Sequence, residues 1–213
     1  MPLGEYEIFI LLEGAACVLL AASAALRARQ NGGQIGGAVA LGLFCGLCLP
    51  LMREASHLPG FFALVAGRHI PCALGGALAG GLLLSLPWCG RHGDALFFWL
   101  DSLSLGLAVC LQCAHLCWGA SLEWPHALAL GLVFGLVPGL VRDVAAGDAA
   151  RLLEEDWYAM AAALAAMLCL ALLRYGLNAP TGVTAGALLM LALRFWRSRK
   201  GLCWQGIAGK GQV

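Results

Sequence analysis

The 213-residue chain is 61% hydrophobic and 12% charged, with a mean hydropathy of +0.83, which leaves too little polar surface to clothe a water-soluble globule. Its 13 basic and 12 acidic residues give a formal net charge of +1, so no basic field points to nucleic acid. The solvent this composition implies is lipid: charges fall in short clusters between apolar runs close to the ~20 residues a helix needs to cross the hydrocarbon core.

The expected spans, in chain order, are 8–26, 33–52, 70–86, 96–119, 127–141, 157–173 and 177–195. The first follows Glu5 and Glu7 and contains Glu13, whereas a cleavable signal peptide starts basic and continues uncharged. The N-terminus is therefore expected to be retained. Between the spans lie turn-forming sequences: Gln30-Asn31-Gly32-Gly33, His57-Leu58-Pro59-Gly60, Gly90-Arg91-His92-Gly93, Glu123-Trp124-Pro125 and Asn178-Ala179-Pro180. The runs are too long and too rich in Leu, Ala and Gly for alternating barrel strands. An all-α integral membrane protein of seven transmembrane helices follows.

The halves repeat. Glu13 in the first span matches Asp101 in the fourth, and Arg53-Glu54 at the end of the second matches Arg142-Asp143 at the end of the fifth, with offsets of 88 and 89 residues. Both Arg-acid pairs closely follow a proline, Arg53 three residues after Pro50 and Arg142 four after Pro138. Three spans per copy force the copies to insert in opposite directions, an arrangement that puts ion or solute sites near the midplane, at broken helices. The organisation read from the sequence is residues 1–89 as a first three-helix repeat, 90–175 as its inverted copy, 176–200 as a seventh helix and 201–213 as a cytoplasmic tail.

Orientation comes from Lys and Arg. One side holds Arg27, Arg29, Arg91, Arg142, Arg151, Arg194, Arg197, Arg199, Lys200 and Lys210, against Arg53, Arg68 and Arg174 on the other. Ten against three makes the C-terminus cytoplasmic and the N-terminus external.

Asp101 is the most informative residue, because an ionisable group in an apolar span is costly and faces a bundle interior or water. Ser104, Ala108, Gln112 and His115 fall within about 60° of it on a helical wheel, forming one polar stripe. The alternative is an interfacial Asp101 whose stripe only packs against a neighbour. Glu13 has the same two readings. Gly46, Pro50, Gly135, Pro138 and Gly139 should kink or unwind spans two and five, freeing carbonyls that coordinate a cation if the backbone lines a cavity. The bland alternative for Arg53-Glu54 and Arg142-Asp143 is a helix end at the headgroups.

Cys45-x-x-Cys48 and Cys110-x-x-Cys113, with His115 and Cys117, invite a soft-metal reading. The wheel opposes it: Cys110, Cys113 and Cys117 fall about 120° to 180° from Asp101 and so away from His115. They read as small apolar residues, and no cofactor is expected. Gly76-x-x-x-Gly80 and Gly182-x-x-x-Gly186 are seams for close helix approach. With no nucleophile triad, phosphate loop or zinc-protease motif, and with His57, His69, His92 and His126 in loops or at helix ends, the sequence does not read as an enzyme.

The stretch 100–107, followed by 135–143, Trp157-Tyr158-Ala159 and Leu193-Arg194, resembles the second repeat of the trimeric intracellular cation (TRIC) channel family, whose domain is also labelled glycine-transporter-like. The resemblance runs from Glu13 to about Lys200. It implies a homotrimer in the lipid bilayer, with a potassium-permeable pore in each protomer, in a bacterial inner membrane. The family places a Gly triplet before each Arg-acid pair, where this chain has Cys48-Leu49-Pro50 and Val137-Pro138-Gly139. The leading functional reading is a passive monovalent-cation channel. In it Glu13, Glu54, Asp101 and Asp143 are the acidic groups of the ion pathway, Ser104 and Gln112 its polar lining, and Arg53 and Arg142 its gates. A secondary transporter of a small solute such as glycine, or a degenerate non-conducting homologue, are the alternatives.

Overall fold

The computed structural model describes residues 3–55, 69–83, 87–118, 120–147 and 156–208, with side chains over 4–52, 69–83, 93–118, 120–147 and 157–198. Seven helices lie among the described residues: α1 Leu3–Gln30, α2 Ile35–Ala55, α3 Ile70–Leu83, α4 Pro87–Trp118, α5 Trp124–Ala145, α6 Asp156–Arg174 and α7 Ala179–Ala208. No strand occurs among the described residues. Six helices are long and apolar enough to cross a membrane, and α3 is a shorter apolar helix. At 1.5 Å per residue the 32 residues of α4 rise about 48 Å, more than the ~30 Å hydrocarbon core.

Turn chemistry sets several ends. α1 and α6 stop where Gly32 (φ +82°) and Gly176 (φ +85°) take the left-handed conformation. In each case the next residue's N–H reaches back to a carbonyl five positions earlier, Gly33 to Ala28 and Leu177 to Leu172, so the last carbonyls are satisfied. α7 starts under the Asn178 side chain, whose Oδ1 accepts from the Thr181 amide at 3.1 Å. One expected break is not a break. Gly90-Arg91-His92-Gly93 lies inside α4, which starts at Pro87, a residue suited to a helix's first turn because its missing N–H is not needed there. The helix α7 also runs past residue 200, where a tail was expected to begin. The expected turn at His57 to Gly60 lies outside the described residues.

The helices assemble as three, three and one. α1, α2 and α3 pack on one another, α4 packs on α5 and α6, and α7 lies against α4 and α6. The units meet through like elements, α1 against α4 and α2 against α5. Their opposed directions show in the contacts: near the C-terminus of α1, the Arg27 guanidinium lies over the Phe97 ring and Gln30 donates to Asp94, both on the N-terminal half of α4. Asn31, just past α1, bonds the carbonyl of Ala146, just past α5.

Lipid gives helices no hydrophobic reason to associate, so close packing of small residues must supply much of the attraction. A Cβ on Gly76 or Gly80 would sit 2.3 Å from the Val18 carbonyl oxygen or 2.2 Å from that of Ala22, so α3 rests on bare backbone of α1. Gly186 does the same for α7, with the Cys110 sulfur and the Ala165 carbonyl in the space a Cβ would take. Alanines 161, 162, 165 and 166 of α6 are fully buried, the last three in the central cluster with α4 and α7.

Candidate functional site

Asp101 sits near the middle of α4 rather than near its start, because α4 begins nine residues before the expected 96. Its side chain is 1% exposed and faces the interior of the bundle. Most of the polar stripe it heads is buried too: Ser104, Ala108 and Gln112 are at most 2% exposed, and His115 is half-buried. Cys110 and Cys113 on the far side of the helix are also buried, because α4 is wrapped by α1, α2, α5, α6 and α7. The stripe therefore does not mark α4's one inward face.

Around Asp101 four helices converge. Arg142 of α5 donates from Nη1 to Oδ1, and Arg194 of α7 donates from Nη1 to Oδ2 at 2.6 Å. The Tyr158 hydroxyl of α6 donates to Oδ1 across 3.4 Å. Arg142 is held from behind by its neighbour, with Nε donating to Asp143 Oδ1 at 2.8 Å and Nη2 2.7 Å from the same oxygen. Aromatic faces complete the enclosure: Phe97 lies 5.0 Å from the Arg142 guanidinium, and Tyr158 and Phe98 lie 4.6 and 5.2 Å from that of Arg194. Planar guanidinium groups stack on rings while donating in plane.

All four charged groups are at most 5% exposed. Two carboxylates and two guanidiniums make the centre neutral. That neutrality makes it tolerable: an unpaired ion removed from water costs several kcal/mol, and attraction offsets this only with close geometry and filled hydrogen-bond positions. The centre offers charge rather than a nucleophile. The nearby hydroxyls of Ser102 and Ser104 are occupied by backbone carbonyls, those of Phe98 at 2.7 Å and Asp101 at 3.1 Å.

Of the anticipated site residues, Asp101, Arg142 and Asp143 meet in this centre. Ser104 lies one turn away on α4, and Gln112 is further along, donating from Nε2 to the Leu49 carbonyl of α2 at 3.0 Å. Glu13 is elsewhere. It is 7% exposed, and its Oε2 lies 3.7 Å from Nε2 of His69, immediately before α3. The side chains of Arg53 and Glu54 lie outside the described residues; their backbone closes α2.

Helices α2 and α5 run unbroken through Pro50 and Pro138 and do not unwind there. What proline does is local: lacking N–H, it leaves the carbonyls of Gly46 and Phe134 without their usual donor. Two of the glycines serve helix contact rather than bare backbone in a path. A Cβ on Gly46 would lie 2.9 Å from Ala21 and Ala73, and one on Gly135 only 2.5 Å from the Val109 Cα. At Gly139 there is room, with Tyr158 Oη 3.4 Å from the ideal Cβ. Just before Pro50, Cys48 and Leu49 fill buried space, each 4% exposed.

The thiols also pack. Cys110 and Cys169 each donate across α4 and α6 to a backbone carbonyl at 3.7 Å. Among the described residues no group of three or more His, Cys, Asp or Glu side chains could share a metal ion.

Sequence reasoning missed Arg194, Tyr158 and His69. Arg194 heads a basic run ending in Lys200 and was read as a cytoplasmic charge. A signal for His69 existed: it precedes Tyr158 by 89 residues, the repeat offset, and each faces its own unit's acid from the start of that unit's third helix.

Comparison with known proteins fits this geometry. Residues 98–174, the second unit, match the family described as "Glycine transporter". No curated protein sequence gives a significant match. Among solved structures, the chain is similar to a prokaryotic TRIC channel, with a TM-score of 0.77 and 18% identity over 90% of this chain and 98% of that one. It is also similar to the TRIC orthologue from Rhodobacter sphaeroides, with a TM-score of 0.72 and 24% identity over 93% and 98%. A third, from a study of conductance through TRIC cation channels, gives 0.72 and 18% over 91% and 94%. The fold is that of these channels.

Proposed function

We propose that the chain is a TRIC-type channel conducting monovalent cations, potassium foremost, through a path within each protomer of a homotrimer, and that the path is shut at the Asp101 centre. One observation carries this reading: in a bundle with the TRIC channel fold, the buried carboxylate of Asp101 is held by arginines from two different helices, α5 and α7, in a centre that Asp143 makes neutral. If α7 shifts and withdraws Arg194, or the Arg142 guanidinium alone swings away while Asp143 stays, the centre becomes net negative and draws a cation into low-dielectric surroundings. Arg142 is then the brake and Asp101 the attracting charge, with Asp143 holding the brake in place. Ser104, Gln112 and the Gly46 and Phe134 carbonyls released by Pro50 and Pro138 supply oxygens along the way. Glu13, Arg53 and Glu54 are the corresponding groups at the other end, in the inverted unit.

The same bundle suits an external N-terminus and a cytoplasmic C-terminus in a bacterial inner membrane. Burial withdraws Arg142 and Arg194 from the orientation count, and the remaining eight against three still favour this direction.

A second reading, a carrier for glycine or a similar zwitterion, is favoured by the family description over 98–174; a carboxylate flanked by guanidiniums can hold both ends of a zwitterion. Purified protein in liposomes separates the two. A channel gives potassium flux that rises without saturation and shows no glycine counterflow. Saturable glycine counterflow without potassium flux would establish the carrier instead, and silence in both assays a non-conducting homologue.

A further inference from the structure

Where α4 ends, α5 begins and α6 ends, a groove lies between the helices. Its inner part has a volume of about 360 Å³ and is walled by Leu128, Met167, Leu170 and Ala171. Its outer part, about 460 Å³, shares Trp124, Leu170 and Arg174 with the first and adds Trp118 and Glu123. The two form one cleft that changes character along its length, from aliphatic to aromatic and charged. Trp118 and Trp124 are 41% and 54% exposed, and tryptophan rings at the end of a span belong to the headgroup level. At that level stand one cation, Arg174, and one anion, Glu123, whose Oε2 also lies 4.0 Å from Nδ1 of the exposed His126.

We infer that this cleft is a binding site for a phospholipid with a primary-amine headgroup, such as phosphatidylethanolamine. One acyl chain lies along Leu128, Met167 and Leu170, the Arg174 guanidinium takes the phosphate, and Glu123 accepts hydrogen bonds from the ammonium. Guanidinium matches phosphate geometrically, and a carboxylate discriminates between amines: it takes N–H donors from a primary ammonium and none from the quaternary ammonium of a choline lipid. An anionic lipid without an amine meets Arg174 but leaves Glu123 repelled. The opposite charges at the mouth therefore select a zwitterion with donors. This inference does not depend on what the bundle conducts.

The test is native mass spectrometry of the full chain, titrated with phosphatidylethanolamine, phosphatidylcholine and phosphatidylglycerol of identical acyl chains. The ethanolamine lipid should bind roughly threefold tighter than either other lipid, the gain expected of one exposed charge-assisted contact. Glu123→Gln should remove the preference over choline, Arg174→Ala should weaken all three, and Leu128→Trp, which fills the aliphatic part, should remove retained lipid without changing the helical content. Equal binding of the three headgroups to the wild-type chain would overturn the proposal. So would a disulfide formed between protomers by Leu128→Cys in a background without native cysteines, because a second copy would then occupy the cleft.

Discussion

Replacing Asp101 by Asn removes one charge from a centre that is neutral only because two carboxylates face two guanidiniums, all at most 5% exposed. The amide keeps an acceptor for one arginine, but Arg142 and Arg194 are left with Asp143 alone, and the centre becomes net positive. Neutral hydrogen bonds between membrane helices average ~0.6 kcal/mol, whereas removing one partner of a buried ion pair costs about 3–5 kcal/mol because the other charge is stranded. The second case applies here, since Asp101 receives donors from both α5 and α7. Asp101→Asn should therefore lower stability by about 3 kcal/mol or more, measured by reversible unfolding in mixed micelles. Arg194→Gln alone should be costly too. The double change restores neutrality and should cost less than the sum, with a coupling of about 2 kcal/mol in a double-mutant cycle. A loss below ~1 kcal/mol for Asp101→Asn, or additivity within ~0.5 kcal/mol, would refute the argument that charge balance holds these helices together.

Three further outcomes follow from particular contacts. Gly135→Ala should destabilise by about 1–3 kcal/mol because its methyl meets the Val109 backbone, whereas Gly139→Ala, which has room, should stabilise by up to about 1 kcal/mol through helix propensity; the same unfolding assay reads both. Pro138→Leu returns a donor to the Phe134 carbonyl and should lower potassium flux more than it lowers stability, as liposome flux and unfolding measured on one preparation would show. In a background without native cysteines, Asn31→Cys and Ala145→Cys should react with an impermeant thiol reagent from the cytoplasmic side and Tyr175→Cys, at 84% exposure, from outside; labelling of positions 31 and 145 from opposite sides would contradict the inverted arrangement.

The fold was legible because bilayer thickness and hydrophobicity leave few choices, and the 88- to 89-residue offset between Glu13/Arg53 and Asp101/Arg142 exposed the duplication. The chemistry of the site was legible only by halves. An acid inside an apolar run announces itself, so Asp101 stood out. Its partners did not: Arg194 follows it by 93 residues, and only the packing of α7 on α4 brings them together. At the end of the last span an arginine bound for the core looks the same as one bound for the headgroups. Tyr158 was visible as part of a shared motif, but nothing in its neighbourhood tells that its hydroxyl points at a carboxylate. The proline positions led to an expectation of kinked or unwound helices; the helices run on without unwinding, because the missing amide costs each a single hydrogen bond that packing on both sides can carry. The helix start at Pro87 was hidden by the glycines at 90 and 93, which read as a turn.

The account's central claim is that the Asp101 centre closes a cation path and that its net charge sets conduction. Planar-bilayer recording in symmetrical potassium tests it most directly, comparing the wild-type chain with Arg142→Gln, which makes the centre net negative, and Asp101→Asn, which makes it net positive. The expected result is discrete current steps in all folded preparations, with potassium current raised in Arg142→Gln and reduced in Asp101→Asn. Equal currents in the three proteins, or currents shifted in the opposite order, would contradict the claim.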